Sequence, residues 1–199
     1  MRKLIVTIIS TLDGYAAGEN GNVFVMPIDL GFDRYNLERM RAAETMLFGA
    51  ATFHGARSYW PPLAEDASAP EVEREISRLY NTLAKVVISD STGPDDTQPW
   101  GANTEIVRRA EAHDRVAELK AGPGGDIICF GSLTTWNDLL AHGLVDELHI
   151  LVGPGVIGSG APTFSQPVED ELTLLDVERL EESKLVALRY AITGARHDR

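Results

Sequence analysis

Two stretches of this sequence run an apolar segment through glycine into a helical pattern, a spacing that can bind phosphate. One is Gly124-Gly125-Asp126-Ile127-Ile128-Cys129-Phe130-Gly131-Ser132. The other is Leu47-Phe48-Gly49-Ala50-Ala51-Thr52. Glycine lets the backbone approach an anion, and the free N–H groups of a first helical turn point at it. Ser132 has an equally direct alternative as a helix N-cap, and the local motif leaves both roles open. Two such junctions in one sheet can grip the two ends of a dinucleotide. Neither stretch matches G-x-G-x-x-G or the P-loop pattern, so the usual dinucleotide and nucleoside-triphosphate fingerprints are unsupported.

Other reactive residue types have plain alternatives. Asp13 precedes Gly14 and reads as a turn residue before it reads as a base. Trp60 offers a flat wall to a pocket, or a core aromatic. Asp146-Glu147 opens a strand; with no histidine at ligand spacing, no metal is expected there or elsewhere, and the pair is expected to anchor a turn through backbone N–H groups. Cys129, the single cysteine, lies in an apolar run and reads as a buried, inert thiol.

The elements that must position these residues follow from periodicity. Strands are expected at 3–10, 45–48, 85–89, 104–107, 126–130 and 145–152, and helices at 32–43, 51–59, 71–83, 111–120 and 132–142. Residues 90–103 read as a surface loop. Residues 172–180 and 184–193 read as a closing pair of strands. Alternation of strands and helices, followed by strands alone, predicts an α/β sandwich whose central sheet is mixed, mainly parallel, with an antiparallel C-terminal edge. One domain over 1–193 is expected, with a disordered tail over 194–199.

The chain has 199 residues and a formal net charge of -12. That charge repels nucleic-acid backbones and anionic membranes. The N-terminal apolar run stops at Ser10, too short to span a bilayer, and carries no cleavage pattern. The cytoplasm is the default location.

The motif order resembles the riboflavin-biosynthesis reductase branch of the dihydrofolate reductase superfamily. The resemblance rests on Ser10-Thr11-Leu12-Asp13-Gly14-Tyr15-Ala16-Ala17, Leu47-Phe48-Gly49-Ala50-Ala51-Thr52-Phe53, Tyr59-Trp60-Pro61 and Lys85-Val86-Val87-Ile88-Ser89. It continues through Gly124-Gly125-Asp126-Ile127, Gly131-Ser132, Gly143-Leu144-Val145-Asp146-Glu147-Leu148 and Gly158-Ser159-Gly160, covering nearly the whole chain in order.

The resemblance implies a three-layer dihydrofolate-reductase-like fold and hydride transfer from NADPH or NADH to a pterin-like or other small heterocycle. It implies Gly49 and Thr52 at the phosphates and ribose, Ser89 near the adenosine, and Gly131, Ser132 and Leu133 around the pyrophosphate. Backbone near Ile9 and Ala16 would meet the nicotinamide amide. Met26-Pro27-Ile28-Asp29-Leu30-Gly31-Phe32 resembles the folate-enzyme stretch that bears the catalytic carboxylate, which nominates Asp29; Asp13 and Trp60 fall on the substrate side. Ala50 and Asp90 stand where the family commonly holds donors to the adenosine 2′-phosphate. Weakened discrimination against NADH is therefore expected, unless Arg57, Lys85 or Arg108 supplies the missing cation. The resemblance also implies a homodimer, assigned to edge strands around 149–152 and 185–192. A non-catalytic binding or scaffold homodimer on the same fold is the alternative.

Overall fold

Five adjacent residues, Ile5 to Ile9, are all β-branched and drive Leu4–Ser10 into a strand, β1, whose seven residues are all buried. The computed structural model describes residues 1–194; of the tail expected over 194–199, residues 195–199 lie outside the described residues. After β1 come β2 (Tyr15–Ala17), α1 (Leu30–Ala42), β3 (Ala43–Gly49), α2 (Ala50–Tyr59), α3 (Glu71–Thr82), β4 (Ala84–Ile88) and β5 (Thr104–Val107). The chain continues through α4 (Ala112–Ala121), β6 (Asp126–Phe130), α5 (Leu133–Ala141), β7 (Glu147–Val152), β8 (Ala161–Pro162), β9 (Glu171–Arg179) and β10 (Val186–Thr193).

Eight strands form one sheet in the order β5-β4-β3-β6-β1-β7-β10-β9, and β2 pairs with β8 apart from it. The six strands from β5 to β7 are mutually parallel, and β10 is antiparallel to both β7 and β9. The period-two alternation of strand side chains makes two cores. Leu47, Cys129, Ile127 and Val6 face α4 and α5, packing on Val116, Trp136 and Leu139. Met46, Phe48, Val87 and Ile128 face the other way, onto Leu37, Met40, Phe53, Ile76 and Tyr80 of α1, α2 and α3. Helices therefore cover both faces, as in the expected sandwich. No described helix is long and apolar enough to cross a membrane.

Two expectations need correction. The segment 90–103 is not simply a surface loop: Trp100 is buried, stacks on Tyr80 and donates from Nε1 to Asn81 Oδ1 at 2.7 Å. A tryptophan with a satisfied N–H anchors that excursion to the core. The apolar runs 149–152 and 185–192 are not edges either. β7 lies between β1 and β10, and β10 lies between β7 and β9, which is why both are apolar. The edge at this end of the sheet is β9, every residue of which is exposed.

Candidate functional site

Because six strands are parallel, their C-terminal ends share one edge of the sheet, and the helices that follow them start there. From β3 the chain builds outward through β4 and β5, then returns to lay β6 against the other side of β3. The strand order reverses between β3 and β6, and the helices that follow them, α2 and α5, cover opposite faces. A crevice at such a point is where open α/β sheets take ligands.

Its floor is built by Gly49, Thr52, Gly131 and Ser132. The Gly49 N–H donates to Ser132 Oγ at 2.9 Å, and the Ser132 N–H donates to Thr52 Oγ1 at 3.0 Å. The two strand–glycine–helix junctions are thereby locked together. A Cβ on Gly49 would lie 2.5 Å from Thr135 Oγ1, so the close approach of α5 requires glycine. Gly131 and Ser132 are both left-handed, at φ +54° and +52°. For Ser132 that conformation costs roughly 1–2 kcal/mol, and the paired hydrogen bonds hold it there. Ser132 does not cap α5 with its side chain, and Gly49 has none to cap α2; among the described residues the side-chain bonds to N–H groups at these two termini are those to Gly49 and Ser132 themselves. The first-turn N–H groups of both helices, Ala50 and Leu133 among them, remain free to meet an anion. A Cβ on Gly131 would sit in ordinary van der Waals contact with Thr52 at 3.8 Å, so it meets no clash, only the strain of the left-handed backbone.

On one side of the crevice, β1 stays paired with β7 to Ser10, while its pairing with β6 ends at Thr7. Beyond Thr7 the backbone of β1 is therefore unpaired on its β6 side; Ile9 and Ala16 are both buried, Ile9 in a cluster with Met26 and Tyr35 and Ala16 in the α4–α5 core. On the other side, beyond β4, the buried Ser89 accepts from the Ser91 and Thr92 N–H groups at 3.2 and 2.9 Å. Asp90 accepts from the Arg109 N–H at 3.1 Å, and the Arg109 guanidinium lies 3.7 Å from its carboxylate. Arg108 donates to the Asp90 and Ser89 carbonyl oxygens at 2.6 and 3.3 Å. Of the three cations considered from sequence, Arg108 is the one held at this place. Lys85, the second residue of β4, sits at the N-terminal ends of the parallel strands, is buried over the Trp100 ring, and is pushed down to about 8 by burial. Arg57 donates to the Gln98 carbonyl.

The carboxylates separate clearly. Asp13 accepts from the Ile157 and Gly158 N–H groups at 3.0 and 2.7 Å, tying the β1–β2 turn to the glycine-rich loop; hydrogen bonds involving Thr11 and Gly158 hold its pKa down. Asp29 caps α1, accepting from the Gly31 and Phe32 N–H groups, and also takes bonds from Ser183 and Lys184. Its oxygens are occupied by structural donors.

One turn further along α1, Asp33 is half-buried, and its carboxylate has no hydrogen-bond or ion-pair partner among the described residues. Burial, aided by Glu73 and Asp29, pushes its pKa up to about 6. A carboxyl poised near neutrality at the ligand edge is what general acid–base work requires. Sequence reasoning missed it, although it lies one residue past the stretch that nominated Asp29. Nearby, Trp60 is half-buried and stacks on Tyr80 at 5.1 Å, within an aromatic ladder that includes Trp100.

The paired acids divide their work. Asp146 accepts from the Leu4 N–H at 2.8 Å and meets Lys120 at 2.9 Å, fixing the start of β1. Glu147 anchors no turn. It meets Lys3 at 2.6 Å and His149 Nε2 at 3.2 Å, and His149 Nδ1 meets Tyr35 Oη at 2.9 Å. A carboxylate only accepts, so Nε2 carries the proton and Nδ1 accepts from the phenol. His149 is fully buried, and burial outweighs Glu147 to push it down to about 4. Cys129 is buried and pushed up to about 12 by desolvation, an inert thiol as its surroundings predict.

The RibD C-terminal domain family model matches residues 2–186 of the chain. Over 195 residues the sequence is 30% identical to the uncharacterized protein YyaP of Bacillus subtilis, covering 97% of this chain and 91% of that one. The fold is similar to that of the diaminohydroxyphosphoribosylaminopyrimidine deaminase/5-amino-6-(5-phosphoribosylamino)uracil reductase of Thermotoga maritima, with a TM-score of 0.65, 13% identity, and coverage of 96% of this chain and 57% of that one. It is also similar to dihydrofolate reductase from Enterococcus faecalis, a structure complexed with NADP(H), with a TM-score of 0.58, 12% identity and 96% of each chain covered. At these identities the two structures speak for the fold alone.

Proposed function

We propose, from the premise that this chain belongs to the RibD C-terminal domain family, that it is an NAD(P)H-dependent reductase of a small pterin-like or pyrimidine-like heterocycle. The observation that carries this reading is the lock between Gly49, Thr52 and Ser132. It leaves two uncapped helix N-termini around one crevice. A nicotinamide dinucleotide spread along the strand ends fits that arrangement, with its pyrophosphate over Gly131, Ser132 and Leu133. Its ribose phosphate would lie near Ser89 and Arg108, and its nicotinamide beside the unpaired backbone of β1 beyond Thr7.

When bound, the dinucleotide supplies the hydride. The chain aligns donor and acceptor and manages the proton. Asp33 fits the proton role, since a carboxyl near 6 exists in both forms around neutral pH. Its surroundings include the exposed phenol of Tyr59, whose pKa is raised by burial and by Glu73 and Asp33. Asp90 is paired with Arg109, so its charge repels a 2′-phosphate less than its type suggests, and Arg108 stands ready as a partner. NADPH and NADH are accordingly both accepted.

A homodimer and a cytoplasmic location belong to the same proposal. The dimer contact is placed on β9, where Leu174 and Val177 are 52% and 55% exposed on an unpaired edge. Such edges need covering. The test of function is a cofactor-oxidation screen. Both dinucleotides are offered with dihydrofolate, ribosylaminopyrimidines and related heterocycles. Turnover with at least one, lost in Asp33→Asn, supports the reading; dinucleotide binding without turnover of any leaves a binding protein on this fold.

A further inference from the structure

His113, Asp138 and His142 gather on the outer surface, where α4 lies beside α5, away from the crevice. Each offers one ligand atom, and these atoms all lie within 4.8 Å of one another. His113 Nε2 is 2.7 Å from Asp138 Oδ2, and His142 Nδ1 is 3.7 Å from Asp138 Oδ1. Asp138 and His142 are one helical turn apart, so both project from the same side of α5, and α4 supplies the third group. The two imidazoles stack with centroids 3.8 Å apart. His142 Nδ1 also donates to the Asp138 carbonyl oxygen at 2.8 Å, a bond that is given up if this nitrogen binds the ion and kept if Nε2 does.

We propose that His113, Asp138 and His142 form a surface site for a first-row transition-metal dication such as Zn2+ or Ni2+. Two of the three donors are imidazole nitrogens, which select such ions over Mg2+ or Ca2+. Ligands at a tetrahedral zinc, with bonds of roughly 2.0–2.1 Å, stand about 3.3 Å apart. The group is therefore closed by side-chain rotation alone. The rings must turn out of their stack so that their lone pairs converge. The exposure of the three side chains, 38% for His113, 52% for Asp138 and 51% for His142, leaves room for that turn. The net charge of -12 favours a cation. Three protein ligands leave at least one position for water. The ion would staple α4 to α5, the helix whose first turn forms the floor of the crevice.

The experiment is a calorimetric titration of the untagged full chain at about pH 7.5 with ZnCl2, NiCl2 and MgCl2, beside His113→Ala, His142→Ala and Asp138→Asn. These exposed changes leave the fold intact, which circular dichroism checks. The expected result is one Zn2+ or Ni2+ per chain and no Mg2+. Each histidine variant weakens binding at least tenfold and removes the rise in Tm that Zn2+ gives the parent. Absence of Zn2+ and Ni2+ binding in the parent, or unchanged affinity in His113→Ala and His142→Ala, would overturn the site.

Discussion

Asp33→Asn is a perturbation whose effect on stability reverses intuition about removing a buried charge. Folding raises the carboxyl from an ordinary 3.8 to about 6. The folded state thus binds the proton more tightly than the unfolded state does. For a raised acid, stability is lost as pH climbs from about 4 through about 6, and the loss is complete at pH 7. The gap corresponds to about 3 kcal/mol of folding free energy at neutral pH. Asparagine keeps the shape and cannot ionise, but its amide must also be desolvated, so the expected recovery is about 1–3 kcal/mol. For a chain of this size that is roughly 3–10 °C in Tm. The assay is thermal denaturation of parent and variant from pH 4 to pH 8. The variant should be the more stable at pH 7 and above, with the difference shrinking toward zero near pH 4. A variant less stable than the parent at pH 7, or a pH-independent difference, would refute the placement of this carboxyl. A group held at a cost to stability fits one retained for chemistry.

His149 acts with the opposite sign. Its folded pKa of about 4 lies below the ordinary 6.5, so the stability from its neutral, doubly hydrogen-bonded ring is present above pH 6.5. It is lost as pH falls toward 4, by up to about 3 kcal/mol; His149→Gln should flatten this acid limb in urea denaturation. Ser132→Ala removes the acceptor of the Gly49 N–H, which should cost about 1–3 kcal/mol in stability and weaken dinucleotide binding, both readable in one titration series with thermal melts. Arg108→Ala should lower NADPH affinity at least tenfold while leaving NADH within twofold, measured at one ionic strength; equal losses for the two would remove Arg108 from the 2′-phosphate. Leu174→Asp with Val177→Lys should yield a monomeric mass by light scattering if β9 is the dimer edge, and an unchanged dimeric mass would place the contact elsewhere.

The eight strands of the main sheet and the five α-helices were legible because each carries its own period. Five consecutive residues of β1, Ile5 to Ile9, are β-branched, and α3 repeats Val72, Ile76 and Leu79 on one face; β2 and β8, three and two residues long, are too short to carry a period and were not expected. The glycine junctions were also legible, since Gly49 and Gly131 mark places where a strand meets a helix. What joins them was not, because Gly49 and Ser132 are 83 residues apart in sequence and their bond exists only after β6 returns beside β3. The pKa of Asp33 was illegible for a similar reason: its burial and the nearby Glu73 of α3 come from a different element. Asp90 is a similar case: its ion pair with Arg109, 19 residues further along, exists only because the fold brings the two together. Edge identity was hidden as well, since β7, β10 and β9 are all apolar in part and only the pairing order decides which one is open.

The most direct test of the account is a dissociation constant for NADPH and for NADH, measured by titration with the parent chain and with Gly131→Val. The added Cβ sits against Thr52 at 3.8 Å without a clash, its methyls take up room beside the Gly131–Leu133 backbone, and the left-handed backbone adds roughly 1–2 kcal/mol of strain. The account predicts saturable binding of one dinucleotide per chain in the parent, and binding at least tenfold weaker in a folded Gly131→Val. A parent that binds neither dinucleotide, or a variant that binds as tightly as the parent, would contradict it.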